Sequence, residues 1–328
     1  MADFRVGSVV AWHELSPVLG TFRLRPEDGD RFPDYKPGQY MALRRDNCWL
    51  TRRVVAPDGG VDYVLDLDES GGPRLGAVTH SYSIASAPFE TAENGHLEFY
   101  VVLEKNPHGV PGRLSGSLFK LNPPLDDQVR YFSRITGNFT LESRAKGFQS
   151  VLLVGSGTGL APFVSMLKQI HSEAGQGRTD GVQYTLLHAN RTYDELGYHQ
   201  ELATIAASRR FDFLYIASVS RPTARDALDP YLARGRANNV LRHILGLPMK
   251  EEQDLQETLA RGGEILPARA ARESAVAPAL PRHVSREELR IRLDPARTVI
   301  LTCGNPSLMA DIKHIADTCG IHFEKEDW

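Results

Sequence analysis

Residues Val151 to Pro162, VLLVGSGTGLAP, constrain this chain more than any other stretch. Four apolar β-formers run into a glycine-rich turn, and an apolar stripe at helical spacing follows at Phe163, Val164, Met166, Leu167 and Ile170. That order reads strand, tight loop, helix. Glycines let a backbone approach a phosphate closely, and a helix start presents free N–H groups and the positive end of its dipole. The segment therefore predicts a nucleotide pyrophosphate site. Pro162 stands where the usual GxGxxG pattern has its last glycine. A proline is accommodated in the first helical turn, where its missing N–H would have no partner anyway.

The surroundings of this turn predict two domains, which a length of 328 residues also favours. Up to about residue 145 the chain reads as β, with short runs at Arg5–Trp12, Gly20–Leu24, Tyr40–Arg44, Tyr63–Leu67, His96–Leu103 and Gln128–Phe132. Turn residues such as Pro26-Glu27-Asp28-Gly29 and Pro57-Asp58-Gly59-Gly60 separate them. Many short strands at this spacing predict an antiparallel barrel or sandwich. From 146 to 328 strand and helix alternate: strands at Val151–Val154, Gln183–His188, Phe213–Val219 and Thr298–Cys303, helices at Ala161–Ser172, Asp194–Ser208 and Pro306–Cys319. Alternation of this kind predicts a parallel sheet with helices on both faces. Residues 246–296 break the rhythm. They hold a helical Met249–Arg261, an Ala/Arg/Pro-rich stretch from Leu266 to Pro281, and a short helix at Ser285–Leu293 with Ser285 as its N-cap.

Composition excludes several classes. A hydrophobic fraction of 41% and a net charge of −3 give no global pointer to nucleic acid or to an anionic membrane surface. No apolar run approaches spanning length and the first residues lack a signal-peptide core, so a cytoplasmic location is expected. The three cysteines, Cys48, Cys303 and Cys319, are scattered. Four thiolates for an iron–sulfur cluster are not available in this sequence, and no metal site is expected.

Four further elements occur in order: Lys36-Pro37-Gly38-Gln39-Tyr40, His80-Ser81-Tyr82-Ser83, Cys303-Gly304-Asn305-Pro306, and the closing Phe323-Glu324-Lys325-Glu326-Asp327-Trp328. With these around the glycine turn, the chain resembles the ferredoxin–NADP reductase family, and its final aromatic is most similar to the bacterial ferredoxin (flavodoxin)–NADP reductases. The resemblance covers most of the chain except the region near 246–296. It implies an N-terminal antiparallel β-barrel for FAD over 1–145 and a C-terminal α/β domain for NADP(H) over 146–328, carrying an insertion near 246–296. That insertion is either a surface elaboration or a docking element.

The resemblance also assigns residues. Tyr82 would pack on the flavin ring with Ser83 near its N5 atom, Ser81 beside them, and Tyr100, Val101 and Val102 lining the flavin from the preceding strand. Gly112, Leu114 and Ser115 match a phosphate loop. His80 stands where the family has an arginine for the flavin pyrophosphate; either the imidazole gives a neutral bond there, or another arginine such as Arg74 or Arg53 supplies the charge. Gly157, Thr158, Gly159 and Pro162 match the element that holds the NADP pyrophosphate. Ser220-Arg221, Arg236 and Arg191 match or resemble basic elements for the 2'-phosphate, with Arg225 equally near. Cys303 would border the nicotinamide, Trp328 would cover the flavin face, and Glu324 or Glu326 would supply a carboxylate.

The activity implied is hydride transfer from NADPH to FAD and single-electron transfer to ferredoxin or flavodoxin, by a monomer. Arg44-Arg45 and Arg52-Arg53 are candidates for a basic docking surface. The same fold serves as a reductase for an oxygenase or for free flavin, and in a further reading as a non-enzymatic electron-transfer or regulatory subunit.

Overall fold

The computed structural model describes residues 3–27, 29–55, 59–123 and 125–326. The chain divides into two units, one ending at Asn138 and one beginning at Phe139.

The first unit is built on a six-stranded antiparallel sheet. Its strands are β1 (Phe4–Ser16), β2 (Leu19–Pro26), β3 (Tyr40–Trp49), β6 (Leu75–Ser83), β7 (Leu97–Val102) and β8 (Gln128–Thr136), in the order β6-β3-β8-β1-β2-β7. β4 (Thr51–Val55) and β5 (Val61–Leu65) form a separate hairpin. The sheet curls until Ile84, just past β6, bridges Phe99 on β7, and the Ala85 N–H donates to the Glu98 carbonyl at 2.8 Å. This closure makes the expected barrel and removes most of its open edges. Leu24, Met41, Leu43, Ile84, Leu97 and Phe99 fill the interior without solvent contact. Each predicted run lies on or over a strand; β4 and β6 were not marked. Along β6, LGAVTHSYS, only Val78 and Ser83 are buried, so it has no apolar alternation to read.

The second unit holds β9 (Ser150–Ser156), β10 (Gln183–Asn190), β11 (Phe213–Val219), β12 (Ala233–Arg234), β13 (Thr298–Cys303) and β14 (His322–Lys325), all parallel, in the order β12-β11-β10-β9-β13-β14. The chain starts inside the sheet at β9, builds outward to β12, then returns to place β13 on the other side of β9. Loops leaving β9 and β13 therefore diverge around one point at the carboxyl edge, where open α/β sheets leave room for a ligand. Leu152, Val154, Leu187 and Ile216 pack with Val240, Leu241, Ile312 and Ile315 of the helices Ala237–Leu245 and Pro306–Cys319. Alternate residues of the same strands face the other side, where the helices Ala161–Gly175 and His199–Ser208 lie.

The predicted helix at Asp194–Ser208 starts later, at His199. A 3₁₀ turn at Tyr193–Glu195 comes first, and Tyr198 at φ 59° in the left-handed region interrupts it. In 246–296 the helices are Lys250–Ala260, Ile265–Ser274 and Arg286–Arg292, the last capped by Ser285 accepting from the Glu288 N–H. The middle one lies in the Ala/Arg/Pro-rich stretch. Pro267 falls in its first turn, where it does no harm, and alanine and arginine favour helix thereafter.

His188 is fully buried, and its Nδ1 and that of His199 both lie 3.0 Å from the Tyr215 hydroxyl. Burial pushes the His188 pKa from 6.5 down to about 3, with His199 adding to the shift. A depressed folded-state value means the unfolded chain takes the proton first. The stabilising contribution is complete above pH 6.5 and is lost progressively between 6.5 and about 3. Between pH 7 and 5, His188→Gln should therefore lose about 2 kcal/mol less unfolding free energy than the parent chain in denaturant titrations. Equal losses would show that His188 is not a neutral buried base.

Candidate functional site

In the second unit the site is built on the carboxyl edge of the sheet. β9 ends in the 3₁₀ turn Gly157–Leu160, which runs straight into the helix Ala161–Gly175 with Pro162 in its first turn. Gly157 adopts φ 56°. Gly159 touches the neighbouring loop so closely that an added Cβ would sit 2.2 Å from the Cys303 carbonyl oxygen. Across the contact Gly304 has φ 136°, and a Cβ there would lie 2.9 Å from the Ser156 oxygen. Two glycines thus allow the loops after β9 and β13 to share one spot, with Thr158 half-buried beside them. The second loop opens the helix Pro306–Cys319, and the Asn305 side chain caps it by accepting from the Ser307 N–H at 2.9 Å.

Cys303 is buried, and its thiol donates to the Glu326 carboxylate at 2.8 Å. Burial pushes the thiol well above its ordinary value, and the Glu326 charge pushes it further. The thiolate is disfavoured, so this is not a nucleophile. Of the two carboxylates open in the sequence, Glu326 is the one at Cys303. Glu324 instead pairs with Arg144 at 2.7 Å. Trp328 lies outside the described residues.

The basic candidates come together at the ends of β10, β11 and β12. The Ser220 N–H donates to the Asn190 carbonyl at 2.9 Å, the Arg221 N–H to the Arg191 carbonyl at 2.7 Å, and the Gly235 N–H to the Val219 carbonyl at 2.9 Å. Their charges are not equally available. Arg191 is held by Glu195 at 2.7 Å, Arg236 lies 3.5 Å from Glu251, and Arg225 sits over the Tyr193 ring. Arg221 is exposed and has no ion-pair partner among the described residues.

In the first unit, His80 to Ser83 form the end of β6 and pair with Leu43 to Tyr40 of β3. Ser83 is buried, Tyr82 half-buried, and Ser81 exposed. Burial raises the Tyr82 phenol pKa, and the Glu104 charge adds to it. His80 is accessible; partial burial lowers its pKa and the positive charge of Arg113 lowers it further, so the imidazole is neutral at pH 7. Tyr100, Val101 and Val102 occupy β7, with Val101 in the barrel core and its two neighbours alternating to the other face. At the start of the helix Arg113–Leu118, a Cβ on Gly112 would lie 2.6 Å from the Ser115 hydroxyl, so glycine keeps that hydroxyl in place. Leu114 anchors this turn in the core. The Gln39 amide donates to the Gly137 carbonyl at 2.9 Å, which ties the KPGQY turn to the end of β8.

Arg113 is the charge that sequence reasoning did not single out. It stands inside the marked Gly112–Ser115 loop, and only the tertiary pairing of that loop with β6 brings it near His80. Arg74 lies 3.7 Å from Asp66, and Arg53 is on the β4–β5 hairpin. The basic surface is also smaller than the Arg pairs suggest. Arg45 points inward from β3, is 4% exposed, and bonds Asp126 at 2.6 and 2.9 Å and Ser117 at 3.1 Å. Arg44 is bonded to Asp46 at 2.7 Å. Arg52 and Arg53 remain exposed with no ion-pair partner among the described residues. No cluster of three metal-ligating side chains, and no helix long and apolar enough to cross a membrane, occurs among the described residues.

Because a methyl group at Gly159 would overlap the Cys303 carbonyl, Gly159→Ala should force the two loops apart. We expect nicotinamide-coenzyme affinity to fall at least about tenfold while the thermal transition of the first unit stays put. Unchanged coenzyme affinity would mean the loops need not touch.

Residues 153–254 match the family model of the oxidoreductase NAD-binding domain. A flavohemoprotein of Bordetella pertussis is 32% identical over 210 residues, 63% of this chain and 42% of that protein, so the chain spans less than half the length of this curated relative. Among solved structures, a ferredoxin NADP+ reductase from Neisseria gonorrhoeae with bound FAD and NADP superposes over 99% of both chains with a TM-score of 0.57 at 19% identity. The flavohem-like FAD/NAD-binding domain of a nitric oxide dioxygenase from Vibrio cholerae covers 98% of both, with a TM-score of 0.56 at 18% identity. At these identities the two structures share the fold.

Proposed function

We propose that this chain, whose residues 153–254 match an oxidoreductase NAD-binding domain and whose fold is shared with a ferredoxin NADP+ reductase, is an FAD-containing NADPH reductase that passes electrons singly to ferredoxin or flavodoxin. The observation that carries the coenzyme choice is Arg221. It is an unpaired guanidinium at the carboxyl end of β11, next to Ser220, where a 2'-phosphate favours arginine and a bare ribose would favour a carboxylate.

The residues present fit both nucleotides. Gly157, Thr158 and Gly159, with the helix start behind Pro162, offer backbone N–H groups and a positive dipole end to the NADP(H) pyrophosphate. Arg221 and Ser220 hold the 2'-phosphate, with Arg191 and Arg236 at the rim. Cys303, kept as a neutral thiol by burial and Glu326, supplies an apolar, non-reactive wall for the nicotinamide. On the barrel, Tyr82 offers a ring face for stacking and Ser83 a hydroxyl for the flavin edge. Gly112, Ser115 and Arg113 hold the flavin pyrophosphate, Arg113 supplying the charge that His80 lacks. FAD, when bound, supplies the hydride acceptor and the one-electron donor, and no general acid is required of the chain. Arg52 and Arg53 are the exposed cations that would meet an acidic protein acceptor.

Two measurements test this. The protein should purify yellow with about one FAD per chain, and Arg113→Ala should weaken FAD binding about ten- to a hundredfold, the loss of a charge-assisted bond. NADPH should outperform NADH, and Arg221→Ala should cost NADPH specificity roughly 30- to 150-fold while leaving NADH nearly unchanged. Equal damage to both coenzymes would remove Arg221 from the 2'-phosphate. The acceptor is decided by turnover with ferredoxin, flavodoxin and free FMN. Preference for FMN would favour the free-flavin reductase reading, and the flavohemoprotein relatives make a haem or oxygenase acceptor the other outcome to assay.

A further inference from the structure

Region 246–296, which breaks the strand–helix rhythm, returns twice to the carboxyl edge of the parallel sheet, both times at the corner formed by Gly235 and Arg236. One return is by main chain. The Arg234 N–H at the end of β12 donates to the Ala279 carbonyl at 2.9 Å, and the Ala279 N–H donates to the Arg234 carbonyl at 3.0 Å. Pro278 packs on Gly235, where an added Cβ would lie 3.2 Å from its Cα. Gly235 has φ 112° and is also held from the sheet side, where the Ser218 hydroxyl donates to its carbonyl at 2.8 Å. The main chain that carries Arg236 is thus clamped between the sheet and the insertion.

The other return is by side chain. The helix Lys250–Ala260 has Glu251 and Glu252 in its first turn. Glu252 is engaged within the insertion, accepting from Arg272 at 2.6 Å and from the Met249 N–H at 3.2 Å. Glu251 points to the sheet edge instead. It is buried, one carboxylate oxygen lies 3.5 Å from Arg236, and the other accepts from the Asn239 amide at 2.7 Å. Asn239 is itself buried, and its side-chain oxygen accepts from the Lys250 N–H at 2.9 Å. This ring of bonds fixes Glu251 in place. Arg236 is exposed, and its separation from Glu251 is longer than the roughly 2.7–2.9 Å of a charge-assisted hydrogen bond. An immobile carboxylate therefore faces a guanidinium that is free to turn.

That asymmetry decides what an arriving anion meets. Arg236 can swing toward a phosphate, but Glu251 cannot retreat from it. A phosphate on Arg236 gains one cation and stays close to one fixed anion, so the carboxylate cancels much of the attraction. A ribose hydroxyl carries no charge and meets no such repulsion; a carboxylate nearby suits it. We propose, on the reading that the 2'-phosphate of NADP(H) binds at this edge, that Glu251 is a specificity-determining residue. It withholds Arg236 from the phosphate and holds the preference for NADPH over NADH below what Arg221 and Arg236 would give together. The insertion is then a coenzyme-selectivity element built onto the nucleotide-binding unit.

The test is calorimetric titration of the flavin-loaded protein with adenosine 2',5'-bisphosphate and with adenosine 5'-monophosphate, which differ only in the 2'-phosphate. Glu251→Gln removes the charge and keeps the shape and the oxygen that Asn239 bonds. It should tighten the bisphosphate about three- to tenfold and leave the monophosphate within about twofold. Arg236→Ala should weaken the bisphosphate by no more than about twofold in the parent chain, yet remove the whole gain in the Glu251→Gln background. Comparing two ligands on one sample makes the ratio independent of the fraction folded. The inference is overturned if Glu251→Gln leaves bisphosphate binding unchanged or weaker, if the monophosphate gains as much, or if the gain survives Arg236→Ala. The underlying coenzyme reading is checked separately. A parent chain that binds both probes equally overturns that reading and the inference with it. A parent preference for the bisphosphate that Arg221→Ala removes and Glu251→Gln does not change overturns the role of Glu251 alone.

Discussion

The backbone of Gly159 against that of Cys303 and Gly304 is the contact on which the nucleotide-binding unit depends. Strand order makes it possible: β9 and β13 are adjacent and parallel, so the turns leaving them start side by side and touch before their chains diverge. Only residues without a Cβ can do this, because a methyl group at Gly159 would come within 2.2 Å of the Cys303 carbonyl oxygen. One consequence is electrostatic. Two helices, Ala161–Gly175 and Pro306–Cys319, begin at this one spot, each with a proline in its first turn. Their dipoles add positive potential where the backbone comes nearest to a ligand. Another consequence concerns Cys303, which is buried by the same contact and so held as a neutral thiol.

Most of the second unit was legible because its central strands, β9, β10 and β13, are buried, mainly apolar runs and its helices carry apolar stripes at helical spacing. Pro306–Cys319 is a case where the Asn305 cap and the Gly320 stop frame the helix at both ends. The helix start at His199 was not legible, since it turns on a left-handed Tyr198, a conformation that no residue type in the sequence announces. In the barrel, β6 carries the HSYS element yet has almost no apolar periodicity, so the motif was visible while its strand was not. The partition of charges was the least legible feature. Arg45 and Arg44 are neighbours in sequence, but the pleat of β3 sends the first into a bond with Asp126 and the second to the surface.

Buried charge also ties the basic edge to the Cys303 loop. Arg242 is about 1% exposed and bonds Asp311 at 2.5 and 3.0 Å, the Pro248 carbonyl at 3.1 Å and Gln253 at 2.8 Å. Burial alone would raise the Asp311 pKa, but the bonds from Arg242 and Asn238 outweigh it and hold the carboxylate below its ordinary value. Breaking such a pair leaves one charge buried and unmatched, at a cost of about 3–5 kcal/mol. The helix that begins next to Arg236 is thereby fixed to the helix that begins next to Cys303. The insertion helix that Lys250 opens joins the same network through Gln253, and Asn239 ties its first turn by accepting from the Lys250 N–H and donating to Glu251. The insertion is thus anchored on the nucleotide-binding unit at its first helix as well as at its last.

Competition for charge is what ranks the arginines at the carboxyl edge. A phosphate approaching Arg191 must displace the two bonds that Glu195 already makes to it, and then lies beside the released carboxylate. Arg236 faces the same difficulty in weaker form, because Glu251 is largely buried, bonded to Asn239, and unable to swing away. Arg225 keeps its charge but spends its face on Tyr193. Arg221 gives up no ion pair when an anion arrives, and its backbone is already pinned to the Arg191 carbonyl, so binding has only the side chain to order. Proximity in sequence offers four arginines at this edge; the pairing of the other three is what singles out Arg221 for the proposed phosphate contact.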